Sequence, residues 1–377
     1  MTHVWVTDAQ TITPFGDSLE ALWLAVMAGR SAIRPLERFA VKGYQAGVAA
    51  WIEDLTASDN RSMCRNLTDR LLGQLGPIPP NTDLITATTK SGIDNLERIK
   101  GGLPADPADV LPGRLSRDIR LHLQLKGEGF NISAACASST IALAQGAEMI
   151  ATGYTDAVLV CCLDLVTEFI FSGFSSLKVL SADPCRPFDR DRKGLSLGEG
   201  AAALLLMNDK LARQRGRSLL GKIRGWGVAN DAAHITAPAR DGCGLRQAVI
   251  KALKSAGRNA DEIAAVCAHG TGTVYNDLME LKVFNRIFGN RRLPIFSIKG
   301  SIGHTLGAAG GIEAAVGLKA LNEQTAPPTV GFSSPEKGAD NKVSPHPLTF
   351  SGNYLLTTNS GFGGINAALI LEKGKMN

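Results

Sequence analysis

The chain has 377 residues, of which 44% are hydrophobic and 20% charged, with a formal net charge of +5. That length exceeds a typical single domain and that apolar content builds sizeable cores, which excludes disorder. The positive charge is too small, and too free of basic–aromatic runs, for nucleic-acid binding; it leaves an acidic protein partner or an ordinary solvated surface.

In chain order, residues 4–6 read as a short first strand, without the basic and apolar regions of a secretory signal. No apolar run reaches the roughly 18 residues of a membrane helix. Residues 18–28 have apolar side chains at helical spacing, and 84–87 and 130–133 read as strands. The string Asn131-Ile132-Ser133-Ala134-Ala135-Cys136-Ala137-Ser138-Ser139 then leads into an Ala-rich, Pro-free helix over 138–151. A cysteine at a helix N-terminus feels the positive end of the macrodipole, which favours thiolate over thiol. Residues 156–163 and 201–207 are continuous apolar runs, the pattern of strands buried on both faces. Beyond Arg213 the pattern restarts, with strands over 221–227, 263–268, 294–297, 354–359 and 367–371 and helices over 244–256, 277–288 and 307–322. The alternation predicts an α/β protein of two halves, 1–208 and 209–377, divided near 209–216.

The seven cysteines are odd in number and lack metal-type spacing, and adjacent Cys161 and Cys162 fall in an apolar strand, so a reducing cytosolic compartment is expected. Two glycine-rich segments supply histidines: Ala268-His269-Gly270-Thr271-Gly272-Thr273 and Lys299-Gly300-Ser301-Ile302-Gly303-His304-Thr305. One cysteine with two histidines in such loops points to carbon–carbon bond formation on a thioester.

Six segments then occur in a telling order. They are Ala135 to Ser139, Arg186-Pro187-Phe188-Asp189 with Leu197-Gly198-Glu199-Gly200-Ala201, and His234-Ile235-Thr236-Ala237-Pro238. His269 to Thr273 with Asn276-Asp277, Lys299 through Gly311, and Gly361-Phe362-Gly363-Gly364-Ile365-Asn366 complete the set. On these motifs, which span almost the whole chain, the sequence resembles a β-ketoacyl-acyl carrier protein synthase of the elongating Cys-His-His type, in the thiolase superfamily.

The resemblance implies a thiolase-like αβαβα fold of five layers, with Cys136 from the first half and His269 and His304 from the second. It implies that Cys136 accepts an acyl chain from a carrier protein's phosphopantetheine thioester, and that the enolate of a decarboxylated malonyl-carrier attacks it. The backbone N–H groups of Cys136 and Phe362 would hold the tetrahedral oxyanion, with Phe362 also gating the nucleophile. His269 and His304 would face the enolate, His304 donating from Nε2, and Lys299 would pair with Glu313. The family needs no metal or organic cofactor, since phosphopantetheine arrives on the substrate. Asp189, Glu199 and Asp277 read as loop anchors, Ile141 and Ala142 as tunnel-lining candidates, and Arg61 and Lys178 as carrier-docking positions.

Family members are dimers, so a homodimer or a heterodimer with a ketosynthase-like partner is expected. The stretch between about 92 and 130 looks abbreviated, which leaves acyl-chain length open and sets polyketide or aryl-polyene assembly beside fatty-acid elongation. A thiolase would need a second cysteine near the C-terminus, yet the last is Cys267; Cys-His-Asn enzymes carry Asn where His304 stands. A chain-length factor lacks the nucleophile that Cys136 supplies.

Overall fold

The computed structural model describes residues 3–374. Ten strands form one mixed sheet: β1 (Val4–Ile12), β2 (Asp83–Ala87), β3 (Gly129–Ile132), β4 (Ala157–Asp164), β5 (Gly200–Asn208), β6 (Gly221–Asn230), β7 (Ile263–Cys267), β8 (Ile295–Phe296), β9 (Tyr354–Gly361) and β10 (Ile365–Lys373). From the middle outward the first five run β1-β5-β4-β2-β3 and the second five β6-β10-β9-β7-β8, which is the same order repeated. The pairing sense repeats too, antiparallel for the inner strands and parallel for the outer ones. The two sets meet through two antiparallel pairs, Trp5↔Lys222 and Val6↔Gly221.

Eleven α-helices are present among the described residues: α1 (Leu19–Met27), α2 (Met63–Leu72), α3 (Asp94–Lys100), α4 (Pro112–His122), α5 (Ser138–Ala151), α6 (Glu168–Ser176), α7 (Asp209–Gln214), α8 (Cys243–Ala256), α9 (Val274–Phe288), α10 (Lys299–Ile302) and α11 (Ala309–Glu323). Helices α5 and α11 pack against strands of both sets and against each other. Most of their residues are buried, with polar exceptions including Gln145 and Glu148 on α5 and Lys319 and Glu323 on α11. Helices α2 and α4 cover the outer face of the first strand set, and α8 and α9 that of the second. The result is the five-layered αβαβα arrangement. Among the described residues no helix is long and apolar enough to cross a membrane.

Contact between α5 and α11 is close enough to demand glycine. A Cβ on Gly310 would lie 1.9 Å from Thr140 Oγ1, and one on Gly311 2.3 Å from Cys162 Sγ. Ser139 Oγ accepts the Gly311 N–H at 2.9 Å, so the central layer is joined by a polar bond at its tightest point.

Several elements differ from the sequence expectation: α9 begins at Val274 rather than 277, β6 runs to Asn230 rather than 227, and α2 and α6 have no counterpart in it. β1 runs to Ile12 rather than stopping at residue 6, because β5 pairs with it throughout; a register shift between Val6 and Asp8 and the polar Asp8 and Gln10 disguise the strand. α11 starts at Ala309 rather than 307, since Leu306 at φ +52° and a 3₁₀ turn over Leu306–Ala308 precede it. Residues 209–214 are helical, with the Asn208 side chain accepting the Leu211 N–H at 2.7 Å. The 92–130 stretch folds as α3, a 3₁₀ turn and α4, ending in the sheet-edge strand β3.

Candidate active site

Ala135 sits at φ +48°, a conformation non-glycine residues rarely adopt, and this sharp turn hands the chain from β3 into α5. Cys136 follows, 7% exposed, just ahead of the first turn of α5. Its Sγ and a ring nitrogen from each of His269 and His304 all lie within 4.8 Å of one another. The two imidazoles meet edge-on, centroids 5.1 Å apart at 84°.

Each histidine is held from behind. The His304 Nδ1 accepts the Leu306 N–H at 3.3 Å, so the ring proton resides on Nε2. His269 Nδ1 faces Asn359 Nδ2 at 3.2 Å. That amide is oriented by Thr140 Oγ1 on its oxygen and by Glu313 Oε2, which accepts from Nδ2 at 2.8 Å. Nδ2 is therefore a donor, and His269 also keeps its proton on Nε2. The His269 and Gly270 N–H groups donate to Glu280 at 2.8 and 2.6 Å, while Asp277 accepts from Thr271, Gly272 and Phe188. Asp189 and Glu199 likewise accept backbone N–H groups, from Ser333 and Ser334 and from Ile52 and Val166.

Lys299, 1% exposed, starts α10 and reaches two groups. Nζ donates to the His269 carbonyl at 2.6 Å and forms a buried ion pair with Glu313. This cation and the burial hold both histidines well below the ordinary imidazole range, burial being the larger cause. Glu313 stays above the ordinary carboxylate range, because burial outweighs Lys299.

Burial also decides the state of the thiol. It pushes Cys136 up to about 12, with Lys299 the leading opposing influence. Relative to a free thiol that is about 4 kcal/mol against ionisation, whereas a helix N-terminus contributes about 0.3–1 kcal/mol, and about 2 at most. The thiolate expected from the helix end alone is overturned: at rest Cys136 is a neutral thiol beside two neutral imidazoles. A cysteine and two histidines are also possible metal donors. Here, however, a ligating nitrogen would have to lose its Nε2 proton, because both Nδ1 atoms face N–H donors.

The turn after β9 closes the site. A Cβ on Gly361 would meet the Cys136 amide nitrogen at 3.1 Å, so the Gly361–Phe362 turn lies against Cys136. Among the described residues, neither the Cys136 nor the Phe362 N–H donates to another protein group. Phe362 stacks on Phe174 with centroids 5.7 Å apart, beside Gly363 at φ +86° and Gly364 at φ +79°.

A cavity of about 360 Å³ opens onto Cys136, His269, His304 and Phe362, and Lys178 also lines it. Arg61 does not reach this opening; it lines a separate cleft and pairs with Asp69. Ala142 is wholly inside the central core and Ile141 is half-buried, and neither lines the cavity. Sequence reasoning missed Asn359, Thr140 and Glu280, although an Asn within the buried strand β9 was a visible signal.

The family model "Beta-ketoacyl synthase, N-terminal domain" matches residues 86–212, and "Beta-ketoacyl synthase, C-terminal domain" matches 220–333. The chain is 30% identical to 3-oxoacyl-[acyl-carrier-protein] synthase 2 of Vibrio cholerae over 409 aligned residues, covering 98% of this chain and 99% of the relative. A crystal structure of a beta-ketoacyl synthase from Burkholderia phymatum superposes with TM-score 0.89 at 26% identity, covering all of both chains. The ishigamide ketosynthase/chain length factor gives TM-score 0.88 at 28% identity, over 99% of this chain and 100% of that one.

Proposed function

Because this chain belongs to the β-ketoacyl synthase family, we propose that Cys136 takes an acyl group from a carrier-bound thioester and passes it to the enolate of a decarboxylated malonyl-carrier. The carrying observation is the Cys136 thiol among two imidazoles whose Nδ1 atoms both accept hydrogen bonds. Acyl transfer breaks the thioester C–S bond while the Cys136 proton leaves with the departing phosphopantetheine thiol. The developing oxyanion meets the free Cys136 and Phe362 N–H groups. Loss of CO2 from the malonyl thioester leaves its electron pair as an enolate, whose oxygen accepts from the Nε2–H groups of His269 and His304. The enolate carbon then attacks the acyl carbonyl and the Cys136 C–S bond breaks, and the thiolate so released takes a proton from solvent to return to the neutral thiol. Two neutral donors suit an enolate, since a cationic imidazolium would hand over its proton and quench the carbanion. Neither a metal nor an organic cofactor enters this sequence.

We place the chain in the cytosol, where its seven free cysteines stay reduced, and as one subunit of a dimer. Among the described residues the sheet-edge strand β3 pairs on one side only, with Phe130 40% exposed. A second reading makes that partner a chain-length factor, favoured by the likeness to a chain of the ishigamide ketosynthase/chain length factor structure. The test is to mix the purified protein with a panel of acyl-carriers and malonyl-carrier and to measure CO2 and β-ketoacyl-carrier together. One CO2 per product from the protein alone supports the stand-alone enzyme. Turnover only with a co-purified second ketosynthase-like chain supports the second reading, and CO2 without condensation product contradicts both.

A further inference from the structure

A buried carboxylate beside the site takes no part in the steps above. Asp164 ends β4 with 1% of its surface exposed, and among the described residues it forms no ion pair. Four neutral donors meet it instead. Thr88 Oγ1 donates to Oδ1 at 2.8 Å and the Thr89 N–H to the same oxygen at 3.0 Å. Thr89 Oγ1 and the Gly307 N–H donate to Oδ2 at 2.8 and 2.7 Å. Burial lifts the carboxyl above the ordinary carboxylate range, and these hydrogen bonds pull it back. A buried carboxylate without a counter-ion is costly, and an apolar side chain at this place would avoid the cost.

What the carboxylate holds is the turn behind His304. The Leu306 N–H donates to His304 Nδ1, and the next N–H in the chain, that of Gly307, goes to Asp164. The left-handed conformation of Leu306, at φ +52°, sets the angle between these two successive donors. A leucine persists in that conformation only where its surroundings hold it. The fit is tight, since a Cβ on Gly307 would stand 2.7 Å from Asp164 Oδ2 and 3.1 Å from Thr89 Cγ2. Thr88 and Thr89 follow the end of β2, so the clamp ties the first half of the chain to the loop that carries His304. We propose that Asp164 is a positioning residue for decarboxylation: by clamping the Gly307 N–H it fixes the Leu306 turn, and through that turn the His304 ring with its Nε2–H aimed at the enolate oxygen. The inference rests on the reaction assigned under Proposed function. Its action is geometric, because a negative charge here disfavours an enolate and also disfavours the Cys136 thiolate. Loss of that charge cannot by itself slow either stage.

The test uses the whole purified protein and three variants. Asp164→Ala removes the clamp. Asp164→Asn keeps it without the charge, because the amide oxygen can accept the Gly307 and Thr89 N–H groups while the NH2 donates to Thr88 Oγ1. Gly307→Ala keeps the charge but wedges a methyl against Oδ2. Malonyl decarboxylation, read as CO2 release, should fall roughly tenfold in kcat with KM unchanged for Asp164→Ala and for Gly307→Ala. Asp164→Asn should stay near the wild-type rate. Acylation of Cys136, read by intact mass, should not fall in any of them, which also shows that each is folded; Gly307→Ala decides the matter should Asp164→Ala not fold. With 15N-labelled histidine, and His304→Asn to assign the ring, the two His304 nitrogens should report a fixed Nε2–H tautomer in wild type and Asp164→Asn. They should draw together, as an averaged pair, in the two clamp variants. Wild-type decarboxylation in both clamp variants, a loss in Asp164→Asn as large as theirs, equal slowing of acylation, or an unchanged tautomer in a slowed variant would overturn the assignment. If the wild type releases no CO2 from malonyl-carrier, the reaction assigned under Proposed function fails, while the tautomer readout still decides the clamp.

Discussion

Replacing Lys299 with methionine keeps most of the side-chain volume and removes the cation paired with Glu313. Both groups are at most 2% exposed on their side chains, so the carboxylate is left without a counter-ion in a dry layer between α10 and α11. Removing one partner of a buried pair costs about 3–5 kcal/mol, against a total stability of about 5–15 kcal/mol for an ordinary domain. Glu313 already titrates above the ordinary carboxylate range, and without Lys299 it rises further. Across the window between the ordinary and the raised value, the folded chain holds a proton that the unfolded chain has lost. Stability of the variant must therefore fall as pH rises, by up to about 1.4 kcal/mol per pH unit. Urea unfolding followed by circular dichroism at about pH 5.5 and about pH 8 reads this directly, the larger deficit appearing at the higher pH. Adding Glu313→Leu should recover most of the loss and flatten its pH dependence, because the orphan charge is gone. A deficit that does not vary with pH, or one that the second substitution leaves untouched, would refute the reasoning.

Three further outcomes follow from the same geometry. Both histidines are held neutral well below the ordinary imidazole range, so their contribution to stability is present above about pH 6.5 and is lost as pH falls from there toward their folded values; condensation rates should show no acid limb near pH 6.5, and one centred there would contradict the buried neutral pair. Asn359→Asp replaces the donor at His269 Nδ1 with an acceptor and should slow malonyl decarboxylation roughly hundredfold, with a much smaller effect on Cys136 acylation measured by mass; equal slowing of both stages would show a merely structural role. Gly310→Ala drives a methyl into Thr140 Oγ1, and the separation of α5 from α11 should cost about 1–3 kcal/mol in urea unfolding, whereas Gly363→Ala, with no heavy atom within 4 Å of its Cβ, should avoid that clash and cost only what its φ of +86° imposes.

The convergence of Cys136, His269 and His304 was legible because each sits in a short local pattern, a cysteine ahead of a Pro-free helix and histidines between glycines. The long apolar runs that became β4 and β5 were legible for a similar reason, since strands buried on both faces need no alternation. What the sequence hid were partnerships between distant residues. Asn359 and His269 are 90 positions apart, and Thr140 and Asn359 are 219 apart; no local spacing reports that they meet. Arg61 looked like a free cation until Asp69, eight residues on and within α2, was seen to pair with it. The protonation of Cys136 was misjudged for a quantitative reason: the helix end was visible in the sequence, while the larger effect, burial, was not.

The central claim is that Cys136 is the acyl-accepting nucleophile of a condensing enzyme, and intact-mass spectrometry after incubation with acyl-carrier tests it most directly. The wild type should gain one acyl mass that disappears on adding malonyl-carrier, and Cys136→Ala should gain none. An acyl adduct on the Cys136→Ala protein, or a wild-type adduct that malonyl-carrier cannot discharge, would contradict the account.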